Sequence, residues 1–162
     1  MYNIVNNSIY VKGSSTCYAL YCQNDNSKYQ VNILNNNLVN DYTSGYGLYN
    51  AHPASYASTY GVRDYNNYYS KSNNHAYLNG ATQTTLAAIQ SVSTDQDQHS
   101  IVVNPTWANA DTLGPKNLEI LGSNHFSCKT AYNVSRDILG LPRSATTCMG
   151  CYGLEPDSMT HN

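Results

Sequence analysis

The chain has 162 residues, enough for one domain with a buried core. A net charge of −2 with only 11% charged residues leaves no electrostatic field for nucleic acid or an anionic membrane. Sixteen tyrosines against one Phe and one Trp supply apolar area with a hydroxyl handle, which suits a strand-rich core or a surface that meets sugars or other proteins, although codon bias in an AT-rich genome is the plainer and favoured reading of the excess.

Tyr2 to Val11 alternates around Ile4, Ile9 and Val11 and reads as one strand. Gly13 to Thr16 is a turn. Cys17 to Cys22, CYALYC, is β-prone, with Cys17, Ala19 and Tyr21 on one face and Tyr18, Leu20 and Cys22 on the other. After a polar turn, Tyr29 to Leu34 returns as a strand and suggests a hairpin. Asn35 to Ser44 reads as loop, Gly45 to Tyr49 as a short strand, and Ala51 to Lys71 as irregular.

Thr82 to Ser93 reads as a helix with a narrow apolar stripe, capped by Thr82. The connection from Thr94 to Lys116 carries a strand at Ser100 to Val103, broken up by Pro105 and Pro115. Leu118 to Leu121 is a short apolar strand, followed by a turn. A helix is expected from Cys128 to Leu139, with Ala131, Val134 and Ile138 on one face and Gly140 and Pro142 as its stop. From Arg143 onward the chain reads as a coil tail holding Cys148 and Cys151. No internal repeat and no dividing linker is evident, so 1–162 is expected to be a single domain.

A thiol at a helix start sits among unpaired N–H groups and the positive end of the helix dipole, which favour the thiolate and can hold an oxyanion. That makes Cys128 a candidate nucleophile, against the plainer reading of a small residue packing the helix start. A thiol hydrolase also needs a base. Of five histidines, His161 in the tail and His99 in a polar connection are expected to be solvated, His75 precedes the first helix, and His125 lies three residues before Cys128. His52 follows the GYGLY strand and approaches CYALYC if the two strands are neighbours, so it is the expected base. Cys17-x4-Cys22 with Cys148-x2-Cys151 fits a structural zinc weakly; two disulfides, or one disulfide plus free thiols, fit about as well, and the tail is expected to need such a tie, covalent or metal, to be ordered.

The stretch LEILGSNHFSCKTAYNVSRDILGLP resembles the second half of circularly permuted papain-like cysteine hydrolases, relatives of NlpC-type cell-wall peptidases and lecithin:retinol acyltransferase, found also in Rhs-type and related secreted bacterial toxins. GYGLYNA, YGVRDYNNYYSKS and ATQTTLAAIQSV are similar to three further pieces of that family in the same order. The resemblance covers about two thirds of the chain. It implies an α+β fold, an antiparallel sheet with the nucleophile helix packed against it, and Cys128 as nucleophile. The family's histidine position is held here by Cys17, which cannot serve as an imidazole base.

The expected function is therefore a secreted thiol hydrolase acting on an amide or ester. By family likeness the substrate is peptidoglycan, with an immunity protein as partner if the domain is a toxin. The alternative is a catalytically lapsed, cysteine-stapled binding or structural module of the same fold. No cofactor, catalytic metal, nucleic-acid partner or transmembrane segment is expected. Met1 opens into polar sequence without a signal peptide, and the composition suits a protein delivered outside the cytoplasm.

Overall fold

A computed structural model describes residues 2–13, 15–23, 30–51, 61–107, 127–129, 134–143 and 146–152. The chain winds through three successive coils, each contributing one strand to each of three sheets. Coil one holds β1 (Tyr2–Val5), β2 (Ser8–Val11) and β3 (Cys17–Cys22). Coil two holds β4 (Val31–Leu34), β5 (Asn37–Asn40) and β6 (Gly45–Asn50). Coil three holds β7 (Arg63–Asp64), β8 (Asn67–Ser70) and β9 (Ala76–Leu78). The sheets run β1-β4-β7, β2-β5-β8 and β3-β6-β9. Every one of these pairings is parallel, and the paired residues lie 28 to 30 positions apart. This is a three-sided parallel β-solenoid, in which each coil buries its inner face only by stacking on the next.

Two adjacent residues make the corner between the first two sheets. Asn6, Asn35 and Tyr65 each take positive φ there, at 57°, 58° and 53°. Asparagine tolerates that region better than other non-glycine residues. The next residue builds an internal amide ladder. Asn36 Oδ1 accepts from the Asn7 backbone N–H at 3.0 Å, and Asn66 Oδ1 accepts from that of Asn36 at 3.0 Å. Ser100 Oγ accepts from that of Asn66 at 3.1 Å and continues the ladder into a fourth, partial coil. The core between the sheets is Ile33, Leu38, Leu48, Tyr68, Ala76, Leu78 and Ile89, all nearly or fully buried.

The third coil is closed on its far side. Strand β10 (Ala81–Gln83) pairs antiparallel with β9, and Ile101 bridges to Asn67 on β8. Asp97 N–H donates to the Arg63 carbonyl of β7. Helix α1 (Leu86–Ser91) packs Ile89 into the core, and Thr85 Oγ1 caps it by accepting from Ala88 N–H. Asp97 is fully buried among Arg63, with which it pairs, Tyr68 and Ser100, whose hydroxyls donate to Oδ1 at 2.7 and 2.9 Å.

Several expectations are corrected here. The fold is not α+β with a nucleophile helix on an antiparallel sheet: the three main sheets are parallel and strands dominate. The single strand expected over Tyr2 to Val11 is two strands bent at Asn6. Tyr29 to Leu34 does not form a hairpin with CYALYC, because β4 stacks on β1. The expected loop at 35–44 contains β5, and the irregular stretch at 51–71 contains β7 and β8. The helix read from Thr82 starts later, since Thr82 is in β10. Repeats are present after all.

The helix expected over Cys128 to Leu139 is also absent. Ser127–Lys129 is strand β11, paired antiparallel with β12 (Thr146–Cys148), and Cys128 lies opposite Thr147. Residues 130–133 lie outside the described set. Beyond them, Asp137 Oδ1 accepts from the N–H groups of Leu139 and Leu141 at 2.9 and 2.8 Å and ties the chain into a turn. A short acid side chain offering its oxygen to nearby amides competes with helix in this way. Of the apolar face read at helical spacing, Ile138 is exposed and Val134 half-buried, and Ala131 lies outside the described residues.

The tail was expected to need a disulfide or metal. It is instead held by Arg143, whose guanidinium donates to the carbonyls of Cys148, Gly150 and Tyr152. Gly150 N–H donates to Asn35 O at 2.7 Å, and Cys151 N–H donates to Ser8 Oγ at 3.1 Å. Gly150 has φ of 94° and a Cβ there would strike Ser8 Oγ, so only glycine lets the tail lie against the solenoid.

Candidate ligand-binding face

The β3-β6-β9 sheet turns one face to solvent, and tyrosine dominates it. In β3, Ala19 is buried and Leu20 also packs against the core. Two consecutive inward residues shift the strand's alternation, as a local bulge does. Tyr18 and Tyr21 therefore share the outer face, which strict alternation assigned to opposite sides. The parallel register sets Tyr18 beside Tyr46, Tyr21 beside Tyr49, and Tyr49 beside Tyr77.

The rings form two columns. Tyr21, Tyr49 and Tyr77 stack with centroids 5.2 and 4.5 Å apart and planes within 2° and 7° of parallel. Tyr18 and Tyr46 are parallel within 5° at 6.1 Å. Between columns the rings meet edge to face, at 66° to 77°. Such offset and edge-on pairs add about 0.5–1.5 kcal/mol each beyond area burial. Tyr21 is 49% exposed and the other four are half-buried.

Neutral polar groups border the rings. Tyr21 hydroxyl donates to Gln23 Oε1 at 3.0 Å, Tyr77 hydroxyl donates to Gly80 O at 3.0 Å, and Tyr46 hydroxyl bonds Thr82 Oγ1 at 2.8 Å. Desolvation among the neighbouring rings, followed by the nearby phenols, raises the Tyr49 hydroxyl above its ordinary value. None of β3, β6, β9 or β10 contains an acidic or basic residue. The face is amphipathic, rigid and uncharged.

Beside it, at the seam between this sheet and β1-β4-β7, lies a cavity of about 470 Å³. Ile4, Val31 and Ile33 give it an apolar wall, Asn50 and Arg63 a polar one, and Tyr21 belongs to both cavity and face. Cys22 also lines it. Burial pushes that thiol up to about 11, against the lowering pull of Arg63, which makes it a poor nucleophile at neutral pH.

The expected catalytic pair is not assembled by anything described. Cys128 lies in strand β11 and not at the start of a helix, and His52 lies outside the described residues. Cys17 opens β3 beside Gly45 and its Sγ donates to Ser15 O at 3.1 Å. No disulfide joins Cys17, Cys22, Cys148 or Cys151. Among the described residues no three His, Cys, Asp or Glu side chains gather as metal ligands, so the zinc pairing of these cysteines has no support. His75 Nδ1 accepts from Ser70 N–H at 3.2 Å inside the fold. His99 is exposed, as expected, and from there pairs with Asp64 at 2.7 Å and stacks on Tyr65 at 4.6 Å.

The tyrosine columns escaped sequence reading although their signal is present. Tyr18 and Tyr46, and Tyr21, Tyr49 and Tyr77, recur at the coil period of 28 residues. Comparison with protein-family models, curated proteins and solved structures finds no match for this chain. Among the described residues no helix is long and apolar enough to cross a membrane.

Proposed function

We propose that this chain is a binding module whose ligand is a neutral saccharide laid along the tyrosine face. The carrying observation is the pair of tyrosine columns, an uncharged aromatic surface edged by Gln23 and Thr82. Sugars combine apolar C–H faces with a rim of hydroxyls, and a phenol matches both. A rigid platform also loses little side-chain entropy on binding. The adjoining cavity gives room for a substituent at the Tyr21 end. The absence of charge in the four strands disfavours acidic polymers. A neutral glycan ligand agrees with work outside the cytoplasm, and peptidoglycan, whose peptide the family resemblance implied as substrate, belongs among the ligands to test through its glycan strands. Thiol hydrolysis drew its support from a helix start at Cys128; without that helix, binding has the stronger physical basis.

The test is calorimetric titration with neutral oligosaccharides, peptidoglycan strands and an acidic polysaccharide. Saturable binding of a neutral or peptidoglycan glycan, weakened tenfold or more by Tyr21→Ala and by Tyr49→Ala, supports the proposal; tenfold is about 1.4 kcal/mol. Absence of saturable binding across the panel removes it.

A further inference from the structure

The two ends of the solenoid differ. Coil three is covered by β10, α1 and the partial fourth coil. Among the described residues no strand pairs with the outer edges of β1, β2 or β3. Tyr2 and Asn6 N–H groups donate to coil two, so alternation turns the Asn3 and Val5 amides outward along the solenoid axis. Asn37 and Asp41 donate to the carbonyls of Asn7 and Val11, which turns the Ser8 amide outward as well. Of the inner side chains of this coil, Ala19 is buried and Ile4, Ile9, Val11 and Leu20 are only half-buried. An open strand edge over a half-exposed core is a template for pairing, and natural edges are usually blunted by charge. Here Lys12 is the one charged side chain between Tyr2 and Cys22.

We propose that this end is a dimer interface, and that its occupant is a second copy of the chain, bound head to head about a two-fold axis. The coil has the symmetry this needs. An axis through the middle of β3 and the opposite corner at Asn6 and Asn7 lays β3 antiparallel on itself and lays β1 on the partner's β2. These two strands have the same length, 4 residues each. In that register Val5 faces the partner's Ser8, pairing two outward amides. Ile4 faces the partner's Ile9, so inner side chains meet inner side chains. In β3, Tyr18 faces the partner's Tyr21. The tyrosine columns then run unbroken through the interface and the two binding faces become one. Because coil three is covered, the contact cannot propagate head to tail and closes at two copies. The proposal does not depend on which ligand the tyrosines take.

Sedimentation velocity across micromolar concentrations is the first measurement. The expected species has twice the 17.9 kDa chain mass. Ile4→Lys sets a charge against the partner's Ile9 and is expected to give monomer, and adding Ile9→Glu to it is expected to restore the dimer through two Lys–Glu pairs. Hydrogen exchange gives an independent reading. The Val5 and Ser8 amides are expected to be protected at concentrations where the dimer forms and to exchange freely on dilution. A monomer throughout overturns the proposal, and so does a dimer in which these two amides exchange at the unprotected rate. A parent dimer that survives Ile4→Lys places the contact elsewhere and overturns it too. Should Ile4→Lys unfold the chain, the exchange measurement on the parent protein decides.

Discussion

Asn36 Nδ2 donates to Asn66 Oδ1 at 3.0 Å across two coils, while its other hydrogen goes to the Ile4 carbonyl at 2.8 Å. Its Oδ1 accepts from the backbone and side-chain amides of Asn7 at 3.0 and 2.9 Å. One fully buried side chain thus ties all three coils at their corner.

Asn36→Ala is expected to be strongly destabilising. It removes the acceptor of the Asn7 backbone N–H and one donor each from the Ile4 carbonyl and from Asn66 Oδ1, which keeps the Asn36 backbone N–H; a buried group left without a partner costs about 1–3 kcal/mol. The expected loss is at least about 2 kcal/mol by urea denaturation. Asn7→Ala, at the open coil, leaves fewer buried groups without partners and is expected to cost less.

The strands CYALYC and GYGLY were legible because β-prone residues fill them without a break. Their pairing was not. Parallel stacking at offsets of 29 and 30 residues requires comparing VNNSIYV, LNNNLVN and DYNNYYS, whose shared corner is a pair of residues with Asn always second. Asparagine there was read as loop, since its usual role is in turns. In the solenoid the same amide satisfies the ladder internally, and Asn36, Asn37, Asn40, Asn66 and Asn67 are all fully buried. The apolar spacing over 131–138 was real but decided nothing, because the Asp137 turn takes the amides that a helix needs. The tyrosine face was anticipated only as a composition that suits sugars or proteins.

Leu48 sits in the middle of β6, fully buried between Leu20 and Ala76 in the ladder. Leu48→Ala is expected to cost about 2–5 kcal/mol, the range for large-to-small changes in close-packed cores. Urea midpoints at constant slope measure it.

Gly45 has φ of 99°, and a Cβ there would overlap the Cys17 backbone. The clash is with main chain of the neighbouring strand, which has no rotamer to escape into. Gly45→Ala is expected to destabilise more than Leu48→Ala, or to prevent folding. Circular dichroism of the purified variant shows which.

His75 gives the fold a pH dependence. Burial pushes its imidazole below the ordinary 6.5, and a hydrogen bond to the Tyr68 backbone pulls it part of the way back. Nδ1 accepts a hydrogen bond from Ser70, which protonation of that nitrogen would break. Below 6.5 the unfolded chain takes up a proton that the folded chain refuses. His75 therefore contributes stability that is present above about 6.5 and lost as pH falls toward its lowered folded value. Unfolding free energy is expected to drop between pH 7 and 5, and the drop to be smaller in His75→Asn.

Thiol reactivity separates the structure from the hydrolase expectation. Cys22 is held in the cavity wall with its pKa raised to about 11, and Cys151 is also raised, mainly by burial. Cys148 is 3% exposed. These three are expected to react slowly with iodoacetamide at pH 8, and Cys17, half-exposed at the start of β3, to react ahead of them. Cys128 lies in strand β11 and not at a helix start, so rapid labelling of it at pH 6 is not expected. Labelling at pH 6, 7 and 8 followed by peptide mapping assigns each rate to its residue. A thiol that labels rapidly at pH 6 and maps to Cys128 contradicts this expectation. It requires a base brought to the sulfur by residues outside the described set, and His52→Ala is the variant that then shows whether that base is the expected one.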